Sequence, residues 1–325
     1  MKALVTGGSG FIGSHLAEVL LTRGWRVTAL DNLSTGNAAN LAALKDNPRF
    51  ELVVGDTTDS TVLDRLMKDC AVVYHLAAAV GVRLVVESPV RTIETNLKGT
   101  EAVLDTAARY GTKVLLTSTS EVYGRGRKAA FKEDDDLLIG PPTKGRWSYA
   151  CSKLMDEFLA LAYWKERKLP VVVARLFNTA GPRQTGRYGM VIPEFVRQGL
   201  TGKPITVFGN GRQRRAFGYV GDVVEALVTL MERNDTAGEV FNVGNDAEIC
   251  IGELARLVKK LTHSRSRIVH VPYDEAYEAG FEDMARRVPD LSKIKRWIGY
   301  QPRHQLCDIL ERVVTHATAS APRSA

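Results

Sequence analysis

At 325 residues, with 45% hydrophobic and 25% charged residues, the chain has an ordinary globular composition and enough length for one large α/β domain or two unequal lobes. Disordered and fibrous chains are excluded. The formal net charge of +7 raises the question of nucleic acid, but the basic residues are scattered among acids and the densest cluster, 212–215, is short; a pocket for a small, multiply charged anion explains it.

Cys70, Cys151, Cys250 and Cys307 lie far apart without paired ligand spacing, so neither disulfides nor a metal site are expected. The chain enters a strand pattern at once, with no secretory leader pattern, and no apolar run approaches the ~18 residues that span a bilayer. A cytoplasmic protein without a membrane contact is the expectation.

Residues 3–6 form an apolar run that enters Gly7-Gly8-Ser9-Gly10-Phe11-Ile12-Gly13, followed by a helical pattern over 11–22. Glycines spaced three and three permit a tight turn, a close backbone approach to a pyrophosphate and close helix–strand packing. Many glycine-rich loops are only turns. The next strand, 26–30, leads into Asp31, where a carboxylate accepts hydrogen bonds from an adenosine ribose and repels a 2′-phosphate, favouring NAD over NADP. A turn cap is the bland alternative for Asp31, but strand, turn, helix, strand and acid in that order favour binding. Asp56, after a strand at 50–54, is placed to meet the adenine edge.

A helix at 62–66, a strand at 72–76, a helix at 96–110 and a strand at 113–117 continue the alternation. Tyr149 and Lys153 share one face of the following helix, so the ammonium can lower the phenol pKa and make the pair a candidate general base. A solvated helix face is the competing reading. A strand at 171–176 comes sixth. The pattern predicts an α/β fold with a doubly wound, Rossmann-type parallel sheet covered on both faces.

After Asn178 the rhythm breaks into a Gly- and Pro-rich stretch at 181–188, with short elements at 193–200 and 205–208, a helix at 222–231, a strand at 240–243 and a helix at 251–261. The division expected is a dinucleotide-binding domain over 1–178 with a return at 219–245, and a smaller, interleaved substrate-binding lobe over 179–218 and 246–315. Residues 318–325 read as a disordered tail.

The motifs Thr6-Gly7-Gly8-Ser9-Gly10-Phe11-Ile12-Gly13, Asp31-Asn32, His75-Leu76-Ala77-Ala78, Asn96, Ser118 to Gly124, Tyr149 with Lys153, and Arg175-Leu176-Phe177-Asn178 occur in the order found in one family. The chain resembles the extended short-chain dehydrogenase/reductases, in their nucleotide-sugar epimerase, dehydratase and decarboxylase branch. The resemblance implies an NAD bound by Gly7, Gly10, Phe11, Ile12, Gly13, Asp31, Asn32, Asp56, Thr57, Leu76, Ala77, Ala78, Asn96, Tyr149 and Lys153. It also implies oxidation at C4 of a UDP-linked hexose. Tyr149 takes the hydroxyl proton, Lys153 binds the nicotinamide ribose and lowers the tyrosine pKa, and Thr119 hydrogen-bonds the reacting oxygen. A hydroxyl at a strand end, as at Thr119 or Ser120, also serves simply to satisfy loop amides.

A 4-keto sugar is re-reduced, undergoes elimination, or, with a carboxylate at C6, loses carbon dioxide. The triplet Thr119-Ser120-Glu121 looks like that of UDP-glucuronate decarboxylases, which yield UDP-xylose or its 4-keto intermediate, although some dehydratases share it and a surface salt bridge is the bland alternative for Glu121. Arg287, or its neighbour Arg286, aligns with an arginine near the sugar carboxylate or enolate, a position suited to a fixed guanidinium. Epimerases use an arginine in a similar region for the pyrophosphate. Asn178 and Arg215 resemble diphosphate ligands, Val207 and Phe208 flank the uracil, and Arg83 faces the pocket in the family's architecture or is a surface cation. The segment from Val80 to Arg83 is similar to that of UDP-glucuronate 4-epimerases, which keeps 4-epimerisation of UDP-glucose or UDP-glucuronate as the runner-up. A 4,6-dehydratase is third, and an NAD-binding interaction module without activity is the non-enzyme alternative. Relatives dimerise through a four-helix interface, which here corresponds to 96–110 and 152–165, with Ala102, Leu159 and Trp164 as candidate contacts.

Overall fold

The protein is represented by a computed structural model that describes residues 1–80, 88–126, 128–186, 189–276 and 284–320. Its first half alternates strand and helix: β1 (Lys2–Thr6), α1 (Phe11–Thr22), β2 (Arg26–Asp31), β3 (Phe50–Val54), α2 (Ser60–Met67), β4 (Val72–His75), α3 (Pro89–Tyr110), β5 (Lys113–Thr119), α4 (Trp147–Arg167) and β6 (Val171–Leu176). β7 (Thr179–Ala180), α5 (Val191–Leu200), β8 (Ile205–Phe208), β9 (Arg214–Ala216), β10 (Gly218–Tyr219) and α6 (Val220–Glu232) follow. Then come β11 (Val240–Val243), β12 (Glu248–Cys250), α7 (Ile251–Leu261), β13 (Ile268–Val271), α8 (Tyr273–Ala276), β14 (Arg286–Arg287), α9 (Ser292–Ile298) and α10 (Leu306–Ser320).

Seven strands form one sheet in the order β11-β6-β5-β4-β1-β2-β3, all parallel. This is the expected doubly wound, Rossmann-type α/β sheet. Its central strands read as apolar runs because their side chains meet covered faces, whereas β3 at the edge keeps Glu51 and Val54 exposed. Ala3 and Val5 pack with α1 and α6 on one side, while Leu4 packs with α2 and α3 on the other. On β6, Val172 and Ala174 belong to the first core, Val171 and Val173 to the second. Strand order reverses between β4 and β2 on either side of β1, so the carboxyl ends of these strands open into a crevice.

A second, smaller body packs α5, α7 and α10 over β8 and β13, with Phe195, Val207, Leu254 and Leu310 in its core. β14 lies parallel to β9 and pairs Arg287 with Arg215. That pairing brings two arginines to the lining of the cleft.

The larger departures from the sequence expectation fall at three places. α3 begins at Pro89 rather than 96, because proline suits the first helical turn, where its missing N–H is no loss. Leu291, Ile294 and Tyr300, expected in the smaller lobe, are buried in the same core as Phe241 and Val224, so α9 packs on the large sheet. Thr318 to Ser320, read as the start of a disordered tail, complete α10; its Ile309, Leu310 and Val313 are anchored in the smaller core, and Thr318 Oγ1 donates to the Val314 carbonyl at 2.9 Å. The last five positions of that expected tail, 321–325, lie outside the described residues.

Candidate active site

The two bodies enclose a cleft of about 1070 Å³, above the usual range for a single drug-sized ligand. One wall is the glycine turn. Gly7 has φ +68°, and a Cβ there would lie 2.9 Å from the Ala77 nitrogen. A Cβ on Gly13 would lie 2.2 Å from the Gly7 carbonyl oxygen. Gly10 caps α1 with no side-chain hydrogen bond, so the first-turn amides of the helix face the cleft without a competing side chain. That geometry suits a pyrophosphate, and the residues fit a dinucleotide.

Asp31 ties the turn together: one carboxylate oxygen accepts from Ser9 N at 3.0 Å and the other from Leu33 N at 2.8 Å. It lines the cleft together with Phe11, Ile12, Asn32, Asp56, Thr57, Leu76, Ala77 and Ala78. Asn32 donates to Asp56 at 2.7 Å. Burial works against the Asp56 charge, but donors from Thr58 and Asn32 more than offset it and hold the pKa below the usual carboxylate range. Asn96 is set back from the cleft wall. It is buried, accepts from Ala79 N at 2.8 Å and donates to Ser152 Oγ at 3.0 Å, so it braces the cleft edge against α4.

Thr119 ends β5 and caps the short 3₁₀ turn Ser120–Tyr123, its hydroxyl accepting from Glu121 N at 3.2 Å. Thr119, Ser120, Glu121, Tyr149 and Lys153 all line the cleft. Glu121 is the electrostatic centre. Its carboxylate pairs with Arg287 through Nη1 and with Arg146 Nη2 at 3.0 Å. Burial pushes this carboxyl up, but the two guanidiniums win and bring it down to about 2. Arg287 Nη2 also donates to Asn178 Oδ1 at 2.6 Å, and Asn178 Nδ2 to the Ala216 carbonyl at 3.1 Å. Arg215, on the strand beside Arg287, lines the cleft and is 6% exposed.

Tyr149 departs from the expectation of a lowered phenol pKa. Burial raises it, the Glu121 carboxylate adds to the rise, and the neighbouring Thr119 hydroxyl opposes it. The nearby Asp156 carboxylate also raises it, and Lys153 Nζ is paired with that carboxylate, with Oδ2 at 2.7 Å. Val207 is a second correction: along β8, Ile205 and Val207 turn into the core at 0% exposure, while Thr206 and Phe208 face the cleft. Only Phe208 of the uracil pair is available, and Tyr273 stands with it on the cleft wall. Arg83 lies outside the described residues.

Arg146 and Asp156 were not singled out from sequence. Arg146 lies three positions before Tyr149 and stacks over Trp147 at 5.0 Å. Behind the site, Glu157 on α4 takes Ser118 Oγ and a bidentate Arg175, whose Nη2 lies at 2.8 Å and which also donates to Tyr123 OH at 3.0 Å. The Arg175-Leu176-Phe177-Asn178 motif is therefore partly a buried strut that locks α4 to β6. Among the described residues no group of three or more His, Cys, Asp or Glu is arranged to hold a metal, and no helix is long and apolar enough to cross a membrane.

A glycine turn, a Tyr-Lys pair and an arginine-clamped acid around one two-lobed cleft agree with the similarity of the whole chain to known proteins. The family model for GDP-mannose 4,6 dehydratase matches residues 4–313. The chain belongs to that family, the nucleotide-sugar branch of the extended short-chain dehydrogenase/reductases. Members similar to it include a UDP-N-acetyl-α-D-glucosaminuronate decarboxylase of Bacillus cytotoxicus, 43% identical over 93% of this chain and 92% of that one. UDP-glucuronic acid decarboxylase 1 of Arabidopsis thaliana is 39% identical over 97% of this chain and 69% of that one. Among solved family members, the UDP-glucuronic acid 4-epimerase of Bacillus cereus in complex with UDP-glucuronic acid and NAD has 31% identity and a TM-score of 0.88, covering 98% of this chain and 99% of that one. The protein is thus an enzyme of the NAD-dependent nucleotide-sugar epimerase and decarboxylase family.

Proposed function

We propose that the protein decarboxylates a UDP-linked hexuronate after oxidising its C4 hydroxyl, with UDP-glucuronate giving UDP-xylose or its 4-keto precursor. The observation that carries this is Glu121 held between Arg287 and Arg146 beside Tyr149. Two fixed cations at that place suit a C6 carboxylate and the enolate left as carbon dioxide departs, since a C4 ketone is β to that carboxyl group. NAD supplies the hydride acceptor when bound in the cleft.

Tyr149 takes the C4 hydroxyl proton, Thr119 orients the same oxygen, and Lys153 serves the nicotinamide ribose. Glu121, kept ionised, holds the two guanidiniums at the cleft, with Arg287 also held by Asn178. The large sheet with its returning strand holds the dinucleotide; Phe208, Asn178 and Arg215 receive the nucleotide of the substrate. The similarity to the N-acetylated relative favours a second substrate within the same reaction, UDP-N-acetylglucosaminuronate. Product NMR after incubation with each uronate and with UDP-glucose tests this. A pentose product from a uronate is expected, whereas inverted C4 with all carbons retained identifies a 4-epimerase instead.

The protein is also proposed to act as a homodimer through α3 and α4. Val90, Ile93, Met155 and Phe158 are among the exposed large apolar side chains there, at 70%, 36%, 55% and 63%. Of the residues expected at this interface, Ala102 and Leu159 are partly buried against the core between α2, α3 and α4, and Trp164 lies beside Gly238.

A further inference from the structure

Tyr149, Lys153 and Asp156 stand at i, i+4 and i+7 on α4, in one stripe of the helix. The side chains of Lys153 and Asp156 are 3% and 0% exposed and 2.7 Å apart. Asp156 Oδ1 has no hydrogen-bond partner among the described residues. The ammonium and the Thr100 hydroxyl support this carboxylate, but burial still raises its pKa.

The surroundings hold the pair in place. Thr100 of α3 lies against Asp156 and bonds His75 Nε2 at 3.2 Å, and His75 Nδ1 meets Thr6 Oγ1 at 2.8 Å. Burial, with the Lys153 charge nearby, keeps the His75 imidazole neutral, its pKa brought to about 3. A buried polar chain thus runs from the residue before the glycine turn to the lysine beside the base.

We propose that Asp156 is a positioning residue that sets the proton affinity of Tyr149, by holding Lys153 at one point of the helix face and cancelling part of its charge. The proposal rests on Tyr149 being the base. The other charged groups facing this stripe are Glu121 on the turn after β5, Arg287 on β14 and Arg146 at the start of α4. Glu157 is committed to Arg175 of β6. A seven-residue separation on a helix is about 10.5 Å. Across it, one unit charge at an effective dielectric near 20 moves a pKa by about one pH unit.

The test is a ¹³Cζ-tyrosine NMR titration of NAD-loaded protein, with the Tyr149 signal assigned by its loss in Tyr149→Phe. Asp156→Asn is expected to lower the Tyr149 midpoint by about one pH unit relative to wild type. An unchanged or raised midpoint overturns the proposal. Should the amide prevent folding, Asp156→Ser, smaller and also neutral, is read by the same criterion. The acidic limb of kcat with the uronate substrate should move in the same direction. If wild type turns over no UDP-sugar, the proposed function fails, while the NMR midpoint still decides the role of Asp156.

Discussion

Glu121 keeps its charge in a buried site only because Arg287 and Arg146 face it. Its folded pKa lies below the unfolded value, so the pairing stabilises the protein above roughly pH 4.3 and that contribution is lost as pH falls toward about 2. Over that window Glu121 accounts for about 3 kcal/mol. Urea unfolding at pH 3 and pH 6 is expected to show a smaller pH-dependent loss in Glu121→Gln than in wild type; equal losses contradict the pairing. In catalysis the same variant is expected to retain part of C4 oxidation, read as reduced nicotinamide at 340 nm, while carboxylate loss slows at least tenfold, or by about 1.4 kcal/mol. Equal slowing of both steps removes the assigned role. Glu121 was legible because it sits in an ordered motif, and Arg287 from the likeness of its segment, which left Arg286 as the alternative. Arg146 and Asp156 were not, because an acid three residues after a lysine is an ordinary surface pattern and only its 0% exposure makes it matter.

The sheet strands were readable for a physical reason: the central ones carry apolar runs because both faces are covered, and Leu115 on β5 is 0% exposed. Leu115→Ala is expected to cost about 2–5 kcal/mol in urea unfolding, and a loss below about 1 kcal/mol contradicts a tightly packed centre. The glycine turn was readable from spacing, and its reason is steric. Gly13→Ala places a Cβ 2.2 Å from the Gly7 carbonyl oxygen, so the turn must open. NAD affinity by calorimetry is expected to fall at least tenfold, about 1.4 kcal/mol; unchanged affinity contradicts the placement of the dinucleotide. Elements without a dominant period were read less well. The first turns of α3 carry exposed Val90 and Ile93 and so give no one-sided stripe, and β8 alternates core and cleft residues, which separates Val207 from Phe208.

At the scale of the molecule, the return of β11 to the large sheet and the packing of α9 on its face put the cleft between two bodies that share the chain in alternating pieces. Long-range docking of this kind leaves little local signal, which is why Leu291 and Tyr300 read as smaller-lobe residues although they bury against Phe241. The exposed apolar faces of α3 and α4 predict a dimer by analytical ultracentrifugation, converted to monomer by Phe158→Glu with Met155→Glu; a monomeric wild type contradicts it. The two bodies together present one acid, two clamping arginines and one phenol to a single reacting sugar. The most direct measurement follows the carboxyl carbon: protein with NAD and UDP-glucuronate labelled with ¹³C at C6, monitored by NMR. The label is expected to leave as bicarbonate in wild type and to stay in the sugar in Tyr149→Phe. Label retained in the sugar by an active wild-type protein contradicts decarboxylation.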